Sequence, residues 1–282
     1  MYQLIDGKAV AKTIREELRK ESDSLKMNGI IPRLAVILVG DDAASKIYVK
    51  NKSKACEDVG IEYEEVILDA DTSMNEILRV IDELNERQDI NGILLQSPIP
   101  KGLDIQSAFE RINYKKDVDG FNPLNVGKLM IGQDTFISCT PYGILKLLEY
   151  YNIPIEGKHA VIIGRSNIVG KPLAQCLLKE NATVTICHSK TANLPEITQK
   201  ADILISAVGK INLVTEDMVK QDAVVIDVGM NRDSNGKLKG DVDFDNVKEK
   251  TSYITPVPGG VGPMTIAMLM NNVIKAAKMH NE

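Results

Sequence analysis

A chain of 282 residues with a formal net charge of −5 and a pI near 5.4 lacks the basic excess of a nucleic-acid binder, and no nucleic acid is expected among its partners. An apolar fraction of 44% beside 26% charged residues is enough to bury cores in two domains of ordinary size. No apolar run approaches the roughly 18 residues of a membrane span, and residues 1–9 lack the basic start and apolar stretch of a leader, so a cytoplasmic protein without membrane contact is expected. Cys56, Cys139, Cys176 and Cys187 form no C-x-x-C pair, and with His159, His188 and His280 they give no metal-ligand spacing, so no metal is expected. Cys187 and His188 suggest a thiol nucleophile only superficially, because neighbours on a strand point to opposite faces.

The chain alternates strand-like and helix-like segments, which predicts an α/β fold of two largely parallel-sheet lobes. Residues 9–22 read as a surface helix, 34–39 as a buried strand, and 43–59 as a helix closed by Gly60. A strand follows at 62–68. Ser73 and Glu76 form a capping box for a helix running to about Asn85. Residues 92–96 are a strand, 105–112 a short helix, and 115–127 a loop rich in Asp, Gly and Asn. Thr140-Pro141, an N-cap followed by a first-turn proline, starts a helix to Tyr151. Beyond it, 159–163 reads as a strand, 169–180 as a helix, and 183–188, 202–206 and 224–228 as strands. Residues 256–263 form a Pro/Gly loop, and 264–279 a closing helix expected to pack back on the first lobe. The expected division is a first domain of residues 1–140 joined by 264–282, and a second of 141–263, with a ligand cleft between them.

On the 43–59 helix, Tyr48, Val49, Ala55, Cys56 and Val59 share one face, and Lys52 sits in its middle. Tyr48 and Lys52, four apart, are neighbours. Two readings stay open for this lysine. Its stem covers apolar surface while the ammonium reaches water, or burial disfavours the ammonium and lets the amine accept a proton. Gln96 ends an apolar strand where ligands of open α/β sheets gather, or is a plain strand-end turn residue. In Asp117-Val118-Asp119-Gly120, a carboxylate can hold the amino-pyrimidine edge of a heterocycle through two donors. The alternative is an Asp-Gly turn with solvated carboxylates.

In the second half, the 159–163 strand leads through Gly164-Arg165-Ser166-Asn167-Ile168-Val169-Gly170 into a helix, the context of a Rossmann-like dinucleotide site. Ser166 takes the second glycine position of the usual pattern and Val169 the third, with Gly170 following. The next strand ends in Cys187-His188-Ser189-Lys190-Thr191, with no acid for ribose hydroxyls. Arg165, Ser189 and Lys190 suit a 2′-phosphate instead, which favours NADP over NAD; the alternative is that Arg165 is a solvated loop residue. Ala207-Val208-Gly209-Lys210 and Gly229-Met230-Asn231 follow further strands, where nicotinamide and ribose contacts fall.

Pro258-Gly259-Gly260-Val261-Gly262-Pro263-Met264-Thr265-Ile266 reads physically as a stiff, ligand-facing loop or as a helix-entry turn. Tyr48-x-x-x-Lys52, Gln96, Lys116-Asp117-Val118-Asp119-Gly120-Phe121, Cys139-Thr140-Pro141, Gly164-Arg165-Ser166, Cys187-His188-Ser189-Lys190-Thr191 and Asp227-Val228-Gly229 precede it in order. Across nearly the whole chain this set resembles the bifunctional methylenetetrahydrofolate dehydrogenase/methenyltetrahydrofolate cyclohydrolase family. The resemblance implies oxidation of 5,10-methylenetetrahydrofolate by NADP and hydrolysis of the product to 10-formyltetrahydrofolate. It implies Lys52 in proton transfer, Gln96 orienting that lysine, Tyr48 packing on the folate and Asp119 holding the pterin. It also implies folate contacts from Pro258, Gly259, Gly260, Val261 and Pro263, NADP contacts from Gly164, Arg165, Ser166, Ser189 and Met230, and a homodimer.

Four positions depart from the family pattern: Arg87, Ser97, Tyr114 and Ser138. Ser97 is the one near the chemistry. Tyr-x-x-x-Lys also marks short-chain dehydrogenases, but there the pair follows the nucleotide-binding strands, whereas here it precedes them. A non-catalytic NADP- or folate-binding regulator is the other alternative, and the joint presence of Lys52, Gln96 and Asp119 argues against it.

Overall fold

The computed structural model describes residues 2–280. In chain order its elements are β1 (Gln3–Leu4), α1 (Gly7–Met27), β2 (Arg33–Val39), α2 (Ala43–Val59), β3 (Glu62–Leu68), α3 (Met74–Glu86), β4 (Gly92–Leu95), α4 (Ile105–Arg111), α5 (Pro123–Met130) and α6 (Cys139–Tyr150). There follow β5 (His159–Ile163), α7 (Gly170–Lys179), β6 (Thr183–Cys187), α8 (Leu194–Thr198), β7 (Ile203–Ser206), β8 (Ala223–Asp227), β9 (Asn231–Arg232), β10 (Leu238–Lys239), α9 (Phe244–Val247), β11 (Thr251–Ile254) and α10 (Val261–Met279). Two compact units form: Lys12–Ser138 with the residues from Ile266 on, and Cys139–Thr265 with the residues up to Ala11. Among the described residues no helix is long and apolar enough to cross a membrane.

The first of these units carries a three-stranded parallel sheet in the order β3-β2-β4. β2 is central, with Leu34–Val39 all buried, which explains its unbroken apolar run. Ile77, Val80, Ile81 and Leu84 of α3 pack on Ile37, Val39, Ile93 and Leu95 to form the core. Ser73 Oγ accepts from Glu76 N at 3.1 Å and caps α3. The return half of the predicted capping box is missing, because the Glu76 carboxylate pairs with Arg79 instead. Asp42 caps the start of α2 by accepting from Ser45 N, and Gly60 closes it in the left-handed region at φ 78°.

The second unit carries a six-stranded parallel sheet in the order β1-β11-β8-β7-β5-β6. The chain runs outward from β5 to β6, then crosses back to β7 on the other side of β5. That reversal creates a switch point beyond the carboxyl ends of β5 and β7, where ligands of such sheets bind.

Several expectations change against this fold. The sequence placed residues 1–11 with the first lobe. They lie in the six-stranded unit, because β1 extends its sheet alongside β11 and Ile5 N donates to Ile254 O at 2.8 Å. The 115–127 loop contains the start of α5, capped by Asn122 accepting from Leu124 N with Pro123 in the first turn. The predicted N-cap Thr140 lies inside α6, its hydroxyl bonded to that of Thr265 at 2.9 Å. α10 begins at Val261, so Pro263 sits in its first turn and not in the preceding loop.

Candidate active site

The buried side of α2 is made by Ser45, Val49, Ala55, Cys56 and Val59. Lys52 is half-buried on that side. Its Nζ donates to Gln96 Oε1 at 2.8 Å. Gln96, at the carboxyl end of β4, is 6% exposed and is fixed by two further bonds. Its backbone N donates to Ile37 O at 2.9 Å, and its Nε2 donates to Ser97 O at 2.6 Å. The second bond sets the amide orientation, since only the NH₂ can face a carbonyl, and the oxygen is left for the lysine. A neutral amide oxygen can accept from an ammonium or from an amine, so the pair survives either protonation state of its donor. Because the Ser97 contribution is a backbone carbonyl, the serine departure leaves this arrangement intact.

Cys56 lies one turn beyond Lys52. Burial pushes its thiol up to about 12, partly offset by the nearby Lys52 charge, and its Sγ meets Met270 Sδ at 3.6 Å. It is therefore a core thiol and not a nucleophile. Tyr48 shares the angular position of Ala55 and Val59, yet it is 37% exposed. It lies a turn nearer the helix start, between the buried Ser45 and Val49. A partly exposed aromatic residue one turn from Lys52 results.

The two carboxylates of Asp117-Val118-Asp119-Gly120 separate into different roles. Asp117 is buried and accepts from Phe121 N, Asn122 N and Asn125 Nδ2 at 3.2, 2.8 and 2.8 Å. Burial outweighs these bonds and pushes its carboxyl up to about 6. Asp117 thus organises the loop, and the solvated-turn alternative fails for it. Asp119 is half-exposed. It lies two residues beyond a parallel bridge between Asp117 and Ile93, hence toward the same sheet end as Gln96. Gly120 has φ +72°, and a Cβ there would come within 2.8 Å of Phe136 O and Ser138 N. Asn272 of α10 donates to Val118 O and Ile137 O at 2.8 and 3.0 Å, holding the loop from behind. Lys116 is structural: its Nζ donates to the carbonyls of Leu84, Asn85 and Arg87 at the end of α3. Arg87, a departure from the family pattern, pairs with Glu64 and Asp89.

In the six-stranded unit, Gly164 has φ +130° at the end of β5, and a Cβ on it would lie 2.5 Å from Ala207 O. A Cβ on Gly170 would collide with Gly164 O. Gly170, one residue after the third position of the usual pattern, therefore serves the close helix–strand packing. Ser166 Oγ accepts from Val169 N at 3.2 Å and Gly170 N at 3.4 Å, capping the first turn of α7. Arg165 and Ser166 are exposed at this loop, and Ser189 and Lys190 are exposed beyond β6. The turn after β6 is held by His188 N donating to Thr191 Oγ1 at 2.8 Å.

Met230 is 46% exposed, beside Gly262. Pro258 and Gly259 are reachable, whereas Gly260 and Val261 are buried and Pro263 is intermediate. The backbone there is pinned: Lys8 N donates to Gly259 O and Gly260 N to Pro256 O, both at 2.9 Å. These residues lie in the six-stranded unit, while Tyr48, Lys52, Gln96 and Asp119 lie in the other. Asp227, of the Asp227-Val228-Gly229 segment, and Asp241, which no motif in the sequence marks, also lie at loop ends of the six-stranded unit, both buried. Burial pushes the Asp227 carboxyl up to about 6.

A lysine–amide pair at the carboxyl end of one parallel sheet, with a glycine-cradled strand–loop–helix in the other unit, defines the class: an α/β enzyme with a separate NAD(P)-binding domain. Residues 5–119 match the tetrahydrofolate dehydrogenase/cyclohydrolase catalytic domain, and residues 138–281 match the NAD(P)-binding domain of the same family. The chain belongs to the tetrahydrofolate dehydrogenase/cyclohydrolase family. It is 57% identical over 275 residues to the bifunctional protein FolD of Bacillus licheniformis, covering 98% of this chain and 97% of that one. The crystal structure of the Campylobacter jejuni bifunctional FolD enzyme superposes with a TM-score of 0.98 at 51% identity, covering 99% of each chain. The Trypanosoma brucei FolD structure, complexed with NADP cofactor and inhibitor, gives 0.94 at 38% identity, covering 99% of this chain and 98% of that one.

Proposed function

We propose that the chain oxidises 5,10-methylenetetrahydrofolate to 5,10-methenyltetrahydrofolate with NADP⁺ and hydrolyses that cation to 10-formyltetrahydrofolate. The observation that carries this reading is the 2.8 Å bond between Lys52 Nζ and an amide locked to receive it. Bound NADP⁺ supplies the acceptor for the hydride leaving the folate methylene carbon. Gly164 and Gly170, pressed against Ala207 O and Gly164 O, keep the turn from β5 into α7 tight, and the start of α7 is the place at which the pyrophosphate would be received. Arg165 and Ser189, exposed at the ends of β5 and β6, would hold the 2′-phosphate, and Met230 would lie toward the nicotinamide.

Hydride transfer needs alignment and no proton relay. Hydrolysis needs one. Water adds to the methenyl carbon and loses one proton, the resulting carbinol O–H releases a second to solvent as the formyl C=O forms, and the bond from that carbon to N5 breaks as N5 takes up the first. Lys52 Nζ is the group that receives and returns this proton, with Gln96 holding it in line. Tyr48 offers its exposed ring as a stacking face, and Asp119 accepts from the amino-pyrimidine edge of the pterin. Pro258 and Gly259 border the folate, backed by Gly260, Val261 and Pro263. Family likeness supports a homodimer in the cytoplasm. A paired assay tests the reading: Lys52→Ala should lose cyclohydrolase activity by about a hundredfold or more while NADP binding persists. Wild-type hydrolysis in that variant removes Lys52 from the mechanism.

A further inference from the structure

We infer that Asp241 is a positioning residue for the dehydrogenase reaction, a single buried carboxylate that fixes both loops beside the nicotinamide end of NADP. This rests on the reading of the chain as an NADP-dependent dehydrogenase. Asp241 follows β10 and is fully buried. Its Oδ2 accepts from Ser206 Oγ at 3.1 Å, Val208 N at 2.8 Å and Gly209 N at 3.2 Å. Its Oδ1 accepts from Lys210 N at 2.8 Å and Asn231 Nδ2 at 3.0 Å. Four of these donors belong to the end of β7 and the loop after it; the fifth, Asn231, opens β9 where the loop after β8 ends.

The carboxylate is itself held. Asp241 N donates to Asp227 Oδ1 and Val242 N to Asp227 Oδ2, both at 2.9 Å, and Gly229 N donates to Asp227 Oδ1 at 2.9 Å. Two glycines leave room for this paired arrangement. A Cβ on Gly229 would collide with the Asp241 carboxylate, and one on Gly240 with that of Asp227. The tethered loop is wedged in turn against the phosphate loop, since Ala207 O occupies the space a Gly164 side chain would need. Three loops at the carboxyl ends of β5, β7 and β8 are thus referred to one acceptor.

A buried charge persists only where donors replace its water. Here successive backbone N–H groups of residues 208–210 do so, and in return they lose the freedom to turn elsewhere. An amide in the same place keeps one oxygen, while its NH₂ faces N–H groups it cannot accept from. The loops after β7 and β8 would then part by the width of the lost bonds. Hydride transfer is steeply sensitive to such a displacement, whereas hydrolysis draws on residues of the other unit.

The test compares wild type with Asp241→Asn in three measurements: NADP affinity by calorimetry, dehydrogenase kcat and KM for NADP, and hydrolysis of supplied 5,10-methenyltetrahydrofolate. We expect NADP binding to weaken about tenfold or more and dehydrogenase kcat to fall, with hydrolysis within about twofold of wild type. Ser206→Ala and Asn231→Ala each remove one donor and should give a smaller shift of about two- to fivefold in the same direction. They carry the test if Asp241→Asn does not fold. Unchanged nucleotide affinity and kcat in folded Asp241→Asn, or in both single-donor variants, overturn the inference. So does an equal loss of both activities, which marks a purely structural role. Absence of dehydrogenase activity from the wild type would instead strike the parent reading.

Discussion

Replacing Gln96 by Glu keeps the length of the side chain and puts a charge where the structure has a neutral acceptor. At 2.8 Å from Lys52 Nζ, a unit negative charge stabilises the ammonium by about 6 kcal/mol at an effective dielectric of 20. Lys52 is only half-buried, and solvent screening lowers this to about 2–3 kcal/mol. At about 1.4 kcal/mol per factor of ten, the proton-free amine becomes scarcer by about 30- to 150-fold. Cyclohydrolase turnover at neutral pH should fall by up to that factor and recover as pH rises, while dehydrogenase turnover changes little. Glu also sets an oxygen against Ser97 O, where the amide donated, so Gln96→Ala serves as the control that removes both bonds without adding charge. The assay is the pH profile of 5,10-methenyltetrahydrofolate hydrolysis in all three proteins. If the Glu and Ala variants lose activity equally at every pH, the lysine's protonation is not what Gln96 governs, and the reasoning fails.

Arg165→Ala should weaken NADP more than NAD, read from the ratio of KM values; equal weakening sinks the 2′-phosphate assignment. Gly170→Ala should destabilise the fold by about 1–3 kcal/mol through overpacking against Gly164 O, although alanine would gain about 0.5–1 kcal/mol in an open helix position; an unchanged or raised Tm would contradict the collision. Asp117 and Asp227 both have folded carboxyl values raised to about 6 by burial. A raised folded value means their contribution to stability is complete below the unfolded value of about 3.9 and is lost as pH rises through about 6. The stability of wild type relative to Asp117→Asn, measured by urea unfolding, should therefore be greater at pH 5 than at pH 7.5; a difference that is flat or grows with pH would falsify the burial argument.

Where one residue alone decides the local outcome, the sequence was readable. Gly60 ended α2 because a left-handed terminus needs glycine, and the apolar run of β2 could only be a doubly covered strand. The Lys52 stripe was legible for the same reason, since helical period places it among Val49 and Cys56. Its partner in space was not, because 44 residues separate Lys52 from Gln96 and only the packing of α2 on the sheet that ends in Gln96 brings them together. The opening of α5 was concealed by composition: Asn122-Pro123 is a helix start, but it sits among turn-forming residues. Strands β1 and β11 were invisible because their pairing is tertiary, and a two-residue strand has no pattern of its own. Asp241 was hidden most deeply, since its importance lies in five donors drawn from residues 206–231.

Asn272, which grips the carbonyls of Val118 and Ile137, stands on the last helix of the chain, and so does Met270, against Cys56. A chain emerging in order of synthesis has every residue of the Asp117–Gly120 loop long before it has this helix. The Lys52 half of the enzyme must therefore wait for these contacts while residues 139–265, the larger part of the nucleotide-binding half, are made in between. A chain broken before the final helix would lack Asn272 and Met270, and with them the grip on the Asp117–Gly120 loop and the cover over Cys56.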